Sequence, residues 1–247
     1  MAHPLHIATP LLPSATLSAA CGRQVRLKME ALQPPGSFKI RGIGLACQTH
    51  AQAGKRRFMS SSGGNAGLAV AYAGQCLHIP VTVVVPQTTS AHAQALLRQY
   101  GAEVIVHGST WNEANALAQT LLGPQDAFIH PFDDPLLWAG HASMVDEVIA
   151  AGFTPDAVVT AVGGGGLLCG VARKGWRSMV WAMCPSSQPK QPAQPAWRLP
   201  CRRAHPPRLM PLPALPLRWA PSKCAHRPLP CRSSAPSSAM WLAMPMP

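Results

Sequence analysis

The chain predicts an α/β fold built from doubly wound parallel sheets. Three observations carry that prediction. Short apolar runs of strand length alternate with stretches of helical length from about residue 25 to residue 171. Two of those runs, Val81 to Val85 and Ala157 to Val162, are continuous and read as buried strands. Ser/Gly-rich loops follow two predicted strands, at the carboxyl ends where open α/β sheets bind their ligands.

Taken in order, residues 4–16 are punctuated by Pro and Thr and read as an extended lead-in. Val25 to Met29 reads as a short strand, and Gln33-Pro34-Pro35-Gly36 as a turn. Ser37 is placed as an N-cap, with Phe38 to about Ala53 helical. Phe58-Met59 is a short buried strand. The loop Ser60-Ser61-Ser62-Gly63-Gly64 leads into a helix over about Ala66 to Cys76. Val81 to Val85 is a strand closed by Pro86. A helix starts at Ser90 and ends near Tyr100-Gly101. Glu103 to Val106 is a strand, Trp111 to Leu122 a helix, and Ala127 to Ile129 a brief strand. A helix follows from Pro135 to Ala151. The strand Ala157 to Val162 then delivers four consecutive glycines. After Val171 the periodicity fails.

Composition divides the chain at the same place. Residues 1–173 hold 10 Lys/Arg and 9 Asp/Glu, whereas residues 174–247 hold 11 Lys/Arg and no acid. The formal charge of +12 therefore belongs almost wholly to the last part. That part also carries 16 of the 27 prolines and only 1 of the 20 glycines, Gly175. It reads as a Pro/Arg-rich, disordered tail rather than a domain. The loss of every acid there resembles translation of a GC-rich gene in the wrong frame. The eight cysteines show no CxxC pair and do not cluster with histidines at zinc-ligand spacing, so no metal site is expected. The N-terminus lacks the basic region and apolar core of a signal peptide. No run approaches the roughly 20 apolar residues of a membrane span. A soluble, cytoplasmic protein without membrane contact is the expectation.

Three stretches carry the chemistry. Lys39 sits behind Pro34-Pro35-Gly36, beside Phe38, at the start of a helix. Most lysines so placed are ordinary surface residues. Here, however, Ser62-Gly63-Gly64-Asn65-Ala66-Gly67 and Gly163-Gly164-Gly165-Gly166-Leu167 accompany it. A lysine, a Ser/Gly/Asn loop and a tetraglycine loop suit a phosphorylated aldehyde cofactor. The lysine would form a Schiff base and must be neutral to attack, a state favoured by apolar burial or by a nearby cation such as Arg41. Consecutive glycine N–H groups at a helix start can cradle a phosphate. The alternative for the glycines is a flexible linker, and for Asn65 a helix N-cap. Asp133 and Asp134, before Pro135, read as a structural turn in preference to an acid/base pair. His141 and Trp138 read as packing residues.

On these motifs, with Phe132-Asp133-Asp134-Pro135 and Cys169-Gly170-Val171, the chain resembles the L-serine/L-threonine dehydratases, pyridoxal-phosphate enzymes of fold type II. The resemblance runs from about Pro4 to about Arg173 and implies two domains. Residues 37–131 would form the smaller one, and 1–36 with 132–173 an incomplete larger one. It further implies pyridoxal 5'-phosphate bound to Lys39, with Phe38 packed on its ring and Asn65 hydrogen-bonded to its ring oxygen. Gly163, Gly164, Gly165, Gly166 and Leu167 would hold the phosphate. Ser62, Gly63, Gly64, Asn65 and Ala66 would receive the substrate carboxylate. The implied reaction is β-elimination from serine or threonine, giving a 2-oxo acid and ammonia, and full-length relatives are expected to be homodimers.

Family members continue well past Arg173, and Gly175-Trp176 reads as a remnant of that segment. A chain with so incomplete a larger domain is expected to be poorly soluble, to bind cofactor weakly and to lack competent turnover. Two other readings stay open. One is a fold type II β-replacement synthase. The other is a non-catalytic remnant whose basic, Pro-rich tail binds a partner, although that tail fits no folded nucleic-acid module.

Overall fold

The computed structural model describes residues 3–174, 179–183 and 238–242. Two sheets organise them. The smaller is formed by β3 (Arg57–Ser60), β4 (Val81–Val85), β5 (Glu103–Val106) and β6 (Asp126–Phe128). Its order is β5-β4-β3-β6, and every pairing is parallel. The helices α3 (Asn65–Leu77) and α4 (Ala91–Gln99) cover one face, where Val70, Ala73 and Leu97 pack on Phe58, Val81 and Val83. The helix α5 (Trp111–Thr120) covers the other, with Ala114 and Ala118 against Met59 and Val84. The sheet is thus doubly wound, which accounts for the unbroken apolar run of β4.

The strand order reverses between β3 and β6, and a crevice opens at such a switch point beyond the strand ends. The segment 61–64 leaves β3 there, and 129–131 leaves β6 there. The helix α2 (Lys39–Gln52) packs under α3, and its apolar face of Ile40, Ile43, Ala46 and Cys47 joins the same core.

The second sheet contains β1 (Leu11–Pro13), β2 (Gln24–Lys28) and β7 (Ala157–Val162), with β8 (Met179–Met183) and β9 (Ser238–Leu242). Its order is β1-β2-β9-β7-β8, parallel except for the β1–β2 pair. The helix α6 (Pro135–Ala150) and the short α7 (Gly166–Ala172) pack with β7 through Met144, Val148, Val158, Leu167 and Val171.

Three features depart from the sequence-based expectation. A helix, α1 (Ala15–Cys21), follows β1 where only an extended lead-in was expected. Ser14 caps it and Gly22 closes it in the left-handed region, but it buries no residue and so has no apolar stripe to betray it. Ser37 does not cap α2. Phe38 is the cap residue and is already helical at φ −55°, so Ser37 lies one residue too early to reach the first free N–H. Finally, β8 and β9 come from the stretch that shows no period. They fall in its two longest proline-free runs, 174–184 and 237–244, where ladder donors survive. The rest of the expected disorder over 174–247 lies outside the described residues.

Candidate active site

Lys39 opens α2, and its Nζ donates to the Pro131 carbonyl oxygen at 2.6 Å. Pro131 belongs to the segment leaving β6, so the lysine reaches the crevice of the smaller sheet. Burial pushes the Lys39 amine well below the ordinary lysine value, to about 8. Nζ lies 5.3 Å from the centroid of the Phe38 ring, which is itself buried.

Arg41 does not contribute to that lowering, contrary to the sequence-based reading. Its guanidinium is fully buried and spent elsewhere. It donates to Glu30 at 2.7 and 2.8 Å, to Glu147 at 2.6 and 2.8 Å, and to Ser143 at 3.0 Å. Lys28 pairs with the same Glu147, and Thr9 donates to Glu30 at 2.6 Å. This network joins the lead-in, β2, α2 and α6. Its charges balance, two basic against two acidic, so it presents little field to Lys39.

Close backbone approach also positions the lysine. α2 and α6 cross where a methyl group on Gly42 would lie 2.5 Å from the Leu137 carbonyl oxygen. A methyl group on Gly140 would collide with the Arg41 carbonyl. Only hydrogen fits at either position, and the start of α2 is thereby seated against α6.

On the β3 side, the loop 61–64 delivers Asn65 as the first residue of α3, with Gly64 as the cap. The N-cap alternative for Asn65 is therefore not realised, and its amide makes no side-chain hydrogen bond among the described residues. Ser62 Oγ accepts from Gly64 N–H at 3.4 Å. Ser61 Oγ donates to Asn115 Oδ1 at 2.8 Å, tying the loop to α5. Ser60 and Ser37 are buried with hydroxyls that have no partner among the described residues. Gly63 faces Thr89, and a methyl group there would come within 2.6 Å of Thr89 Cγ2. Ala66 is buried at the base of α3.

The tetraglycine turn follows β7. Gly165 adopts φ +83°, a conformation that L side chains rarely adopt, and serves as the N-cap of α7. A methyl group on Gly164 would enter the Phe132 ring, and one on Gly166 would strike the Phe132 carbonyl oxygen. Phe132 thus lies against the glycine turn, and its neighbour Pro131 accepts from Lys39. The lysine and the glycine turn meet through this dipeptide. Leu167 is buried beneath the turn.

One residue that sets this geometry, His130, carries no signal in the sequence, and Trp138 reads there as packing only. Trp138 Nε1 donates to the Phe132 carbonyl at 3.1 Å, which gives it a holding role beyond packing. His130 Nδ1 accepts from the N–H groups of Phe132 and Asp133 at 3.3 and 2.8 Å. Asp134 caps α6, accepting from Leu136 N–H at 2.7 Å ahead of Pro135, and Asp133 is exposed. The Asp pair is therefore a turn and a cap. No group of three or more His, Cys, Asp or Glu suited to a metal is present among the described residues. None of the described helices is long and apolar enough to cross a membrane.

The family described as pyridoxal-phosphate dependent enzyme matches residues 3–179. The chain belongs to this family. The match extends six residues beyond Arg173 and reaches the start of β8. The cofactor that defines the family is pyridoxal 5'-phosphate. Among curated relatives, the serine dehydratase-like protein of Homo sapiens is 53% identical over 171 residues, covering 68% of this chain and 52% of its own. The L-serine dehydratase/L-threonine deaminase of Mus musculus is 49% identical over 184 residues, covering 73% of this chain and 56% of its own. The crystal structure of a fungal L-serine ammonia-lyase from Rhizomucor miehei superposes with a TM-score of 0.68 at 34% identity. That alignment covers 73% of this chain and 61% of the fungal one. The chain spans about half the length of the curated relatives it matches.

Proposed function

We propose that this chain carries the site of a pyridoxal-phosphate-dependent β-elimination, the deamination of L-serine or L-threonine to pyruvate or 2-oxobutyrate and ammonia. The observation that carries the reading is Lys39. Its buried amine, lowered to about 8, donates to Pro131 on the segment leaving β6, whose neighbour β3 leads into the Ser/Gly/Asn loop. The names of the relatives favour serine and threonine as substrates.

The residues present fit the cofactor. An amine freed of part of its charge by burial suits Schiff-base formation. The turn at Gly163 to Gly166 has no room for a side chain at Gly164 or Gly166, so backbone N–H groups are what it can offer a phosphate. On this reading Lys39 would hold the cofactor, Phe38 would lie against its ring, and Asn65 would bond its ring oxygen. Gly163, Gly164, Gly165, Gly166 and Leu167 would surround its phosphate. When bound, the cofactor supplies an electron sink for carbanion chemistry.

The remaining work belongs to side chains and backbone. Ser62, Gly63, Gly64 and Ala66, with Asn65, offer a hydroxyl and N–H groups to the substrate carboxylate. The neutral Lys39 Nζ takes the α-proton. A value about 8 lets that atom accept and return a proton near neutral pH. We assign residues 37–131 to the smaller domain and 1–36 with 132–173 to the larger, a division that the two separate sheets support. Homodimeric assembly is proposed on the family resemblance. A cytoplasmic setting is proposed because Cys21, Cys47 and Cys76 carry free thiols, as reducing surroundings allow.

The test is to purify residues 1–247, add pyridoxal phosphate and assay serine and threonine with and without an added nucleophile. Release of 2-oxo acid without a nucleophile supports elimination and overturns the expectation that this chain lacks competent turnover. A new amino acid formed only with the nucleophile would replace it by β-replacement. No product, together with no pyridoxal on Lys39, would overturn both.

A further inference from the structure

His141 is the polar group in this corner to which the proposed chemistry gives no task. It lies on α6, fully buried, and neither ring nitrogen has a hydrogen-bond partner among the described residues. A neutral imidazole carries one N–H donor and one acceptor nitrogen. Leaving both unmet in the interior is unfavourable, and an apolar side chain of similar size would avoid that cost. Packing alone therefore disfavours histidine at this position.

Its place is nonetheless tightly fixed. A methyl group on Gly42 would lie 2.6 Å from His141 Cε1, and one on Gly170 would lie 2.5 Å from His141 Cβ. On a further side stands the Phe38 ring, 4.9 Å away between centroids in an edge arrangement. The Lys39 Nζ lies 5.3 Å from the centroid of that same Phe38 ring. The imidazole and the amine thus share one aromatic neighbour. The charged groups that act on His141 are Lys39 and Arg41 of α2; burial first, then these two cations, keep it neutral. Arg41 is neutralised by Glu30 and Glu147, whereas Lys39 has a carbonyl oxygen and, among the described residues, no carboxylate.

Resting on the assignment of Lys39 as the reactive amine, we propose that His141 is a positioning residue for it. As a neutral imidazole it fixes the Phe38 ring, the neighbour it shares with the amine, and adds polar, uncharged atoms to the amine's surroundings. The amine can then take up a proton without a counter-ion. A buried ammonium that lacks a carboxylate needs dipoles near it, and a hydrocarbon ring provides weaker ones.

The test follows the Lys39 amine directly. The full chain, free of cofactor, is trace-acetylated across the alkaline range, and the Lys39 peptide is quantified by mass spectrometry. Neither cofactor nor substrate enters, so the outcome is separate from the fate of the elimination reading. His141→Phe keeps a ring and removes the nitrogens. It is expected to resist urea at least as well as the parent, and to lower the Lys39 midpoint by about one unit, a tenfold loss of proton affinity. His141→Gln, which keeps a donor and an acceptor, is expected to restore most of that midpoint. A folded His141→Phe protein with the parental midpoint would overturn the proposal. Should His141→Phe fail to fold, His141→Gln decides alone. A midpoint within about 0.3 unit of the parent supports the proposal, and a larger fall overturns it.

Discussion

Two buried polar clusters sit on the same pair of helices and are built on opposite rules. Arg41 of α2 and Glu147 of α6 belong to one, and Lys39 of α2 and His141 of α6 to the other. In the first cluster the charges find partners: Arg41 has Glu30 and Glu147, and Lys28 has Glu147. In the second, among the described residues, the lysine has a single carbonyl oxygen and the histidine nitrogens have no hydrogen-bond partner. A saturated network holds elements together and has little left to offer a ligand. An unsaturated one costs stability and keeps its donors free. The comparison separates scaffold from site within one crossing of two helices.

The strongest way to break that contrast is to unsaturate the scaffold. Arg41→Ala would leave Glu30 buried without its cation. We expect it to destabilise the protein by about 3–5 kcal/mol in urea unfolding. A loss under about 1 kcal/mol would show that the network is not what secures α2.

The reverse change sharpens it. Lys39→Met relieves the site of its buried amine and is expected to raise stability at pH 7 by about 1–3 kcal/mol. The sign follows from the two protonation states. Folded Lys39 loses its proton at about 8, whereas the unfolded lysine holds it to about 10.4. Between those values the unfolded chain binds more protons, so the parent gains stability as pH rises. The penalty is full below about 8, and the advantage of Lys39→Met should vanish above about 10.4. Unfolding curves at pH 7 and 11 that differ from the parent by the same amount would refute the account.

Gly63→Ala should have the smallest effect. The added methyl group meets the side chain of Thr89, which can give way, rather than backbone. Stability should change by less than about 1 kcal/mol. In a protein with a complete larger domain, the ratio of serine to threonine turnover should shift severalfold, because the loop is expected to face the substrate. Unchanged kinetics for both would place Gly63 outside the pocket.

How far the sequence reveals these clusters depends on separation along the chain. Val81 to Val85 and Ala157 to Val162 are read with their observed bounds, because a continuous, largely buried apolar run is a local signal. Lys39 and the glycine turn are legible for the same reason. The scaffold is not: Glu30 and Glu147 stand 11 and 106 residues from Arg41, and nothing nearby marks them as its partners. The Pro131 carbonyl and the orphaned His141 are equally hidden, since a backbone oxygen has no residue code and a missing hydrogen bond leaves no pattern. Strand β9 lies 76 residues beyond β7 in a stretch without period, and only its freedom from proline hints at a ladder.

On the proposed reading, the unsaturated corner captures the cofactor through Lys39. The most direct measurement adds pyridoxal phosphate to the full chain at neutral pH, reduces with borohydride and maps the pyridoxyl group by mass spectrometry. The chain has six lysines: Lys28, Lys39, Lys55, Lys174, Lys190 and Lys223. The label is expected on Lys39, at a lower cofactor concentration than at any other lysine, and is expected to be lost in Lys39→Ala. A label on the exposed Lys174 or on other lysines, with Lys39 unmodified, would contradict that reading.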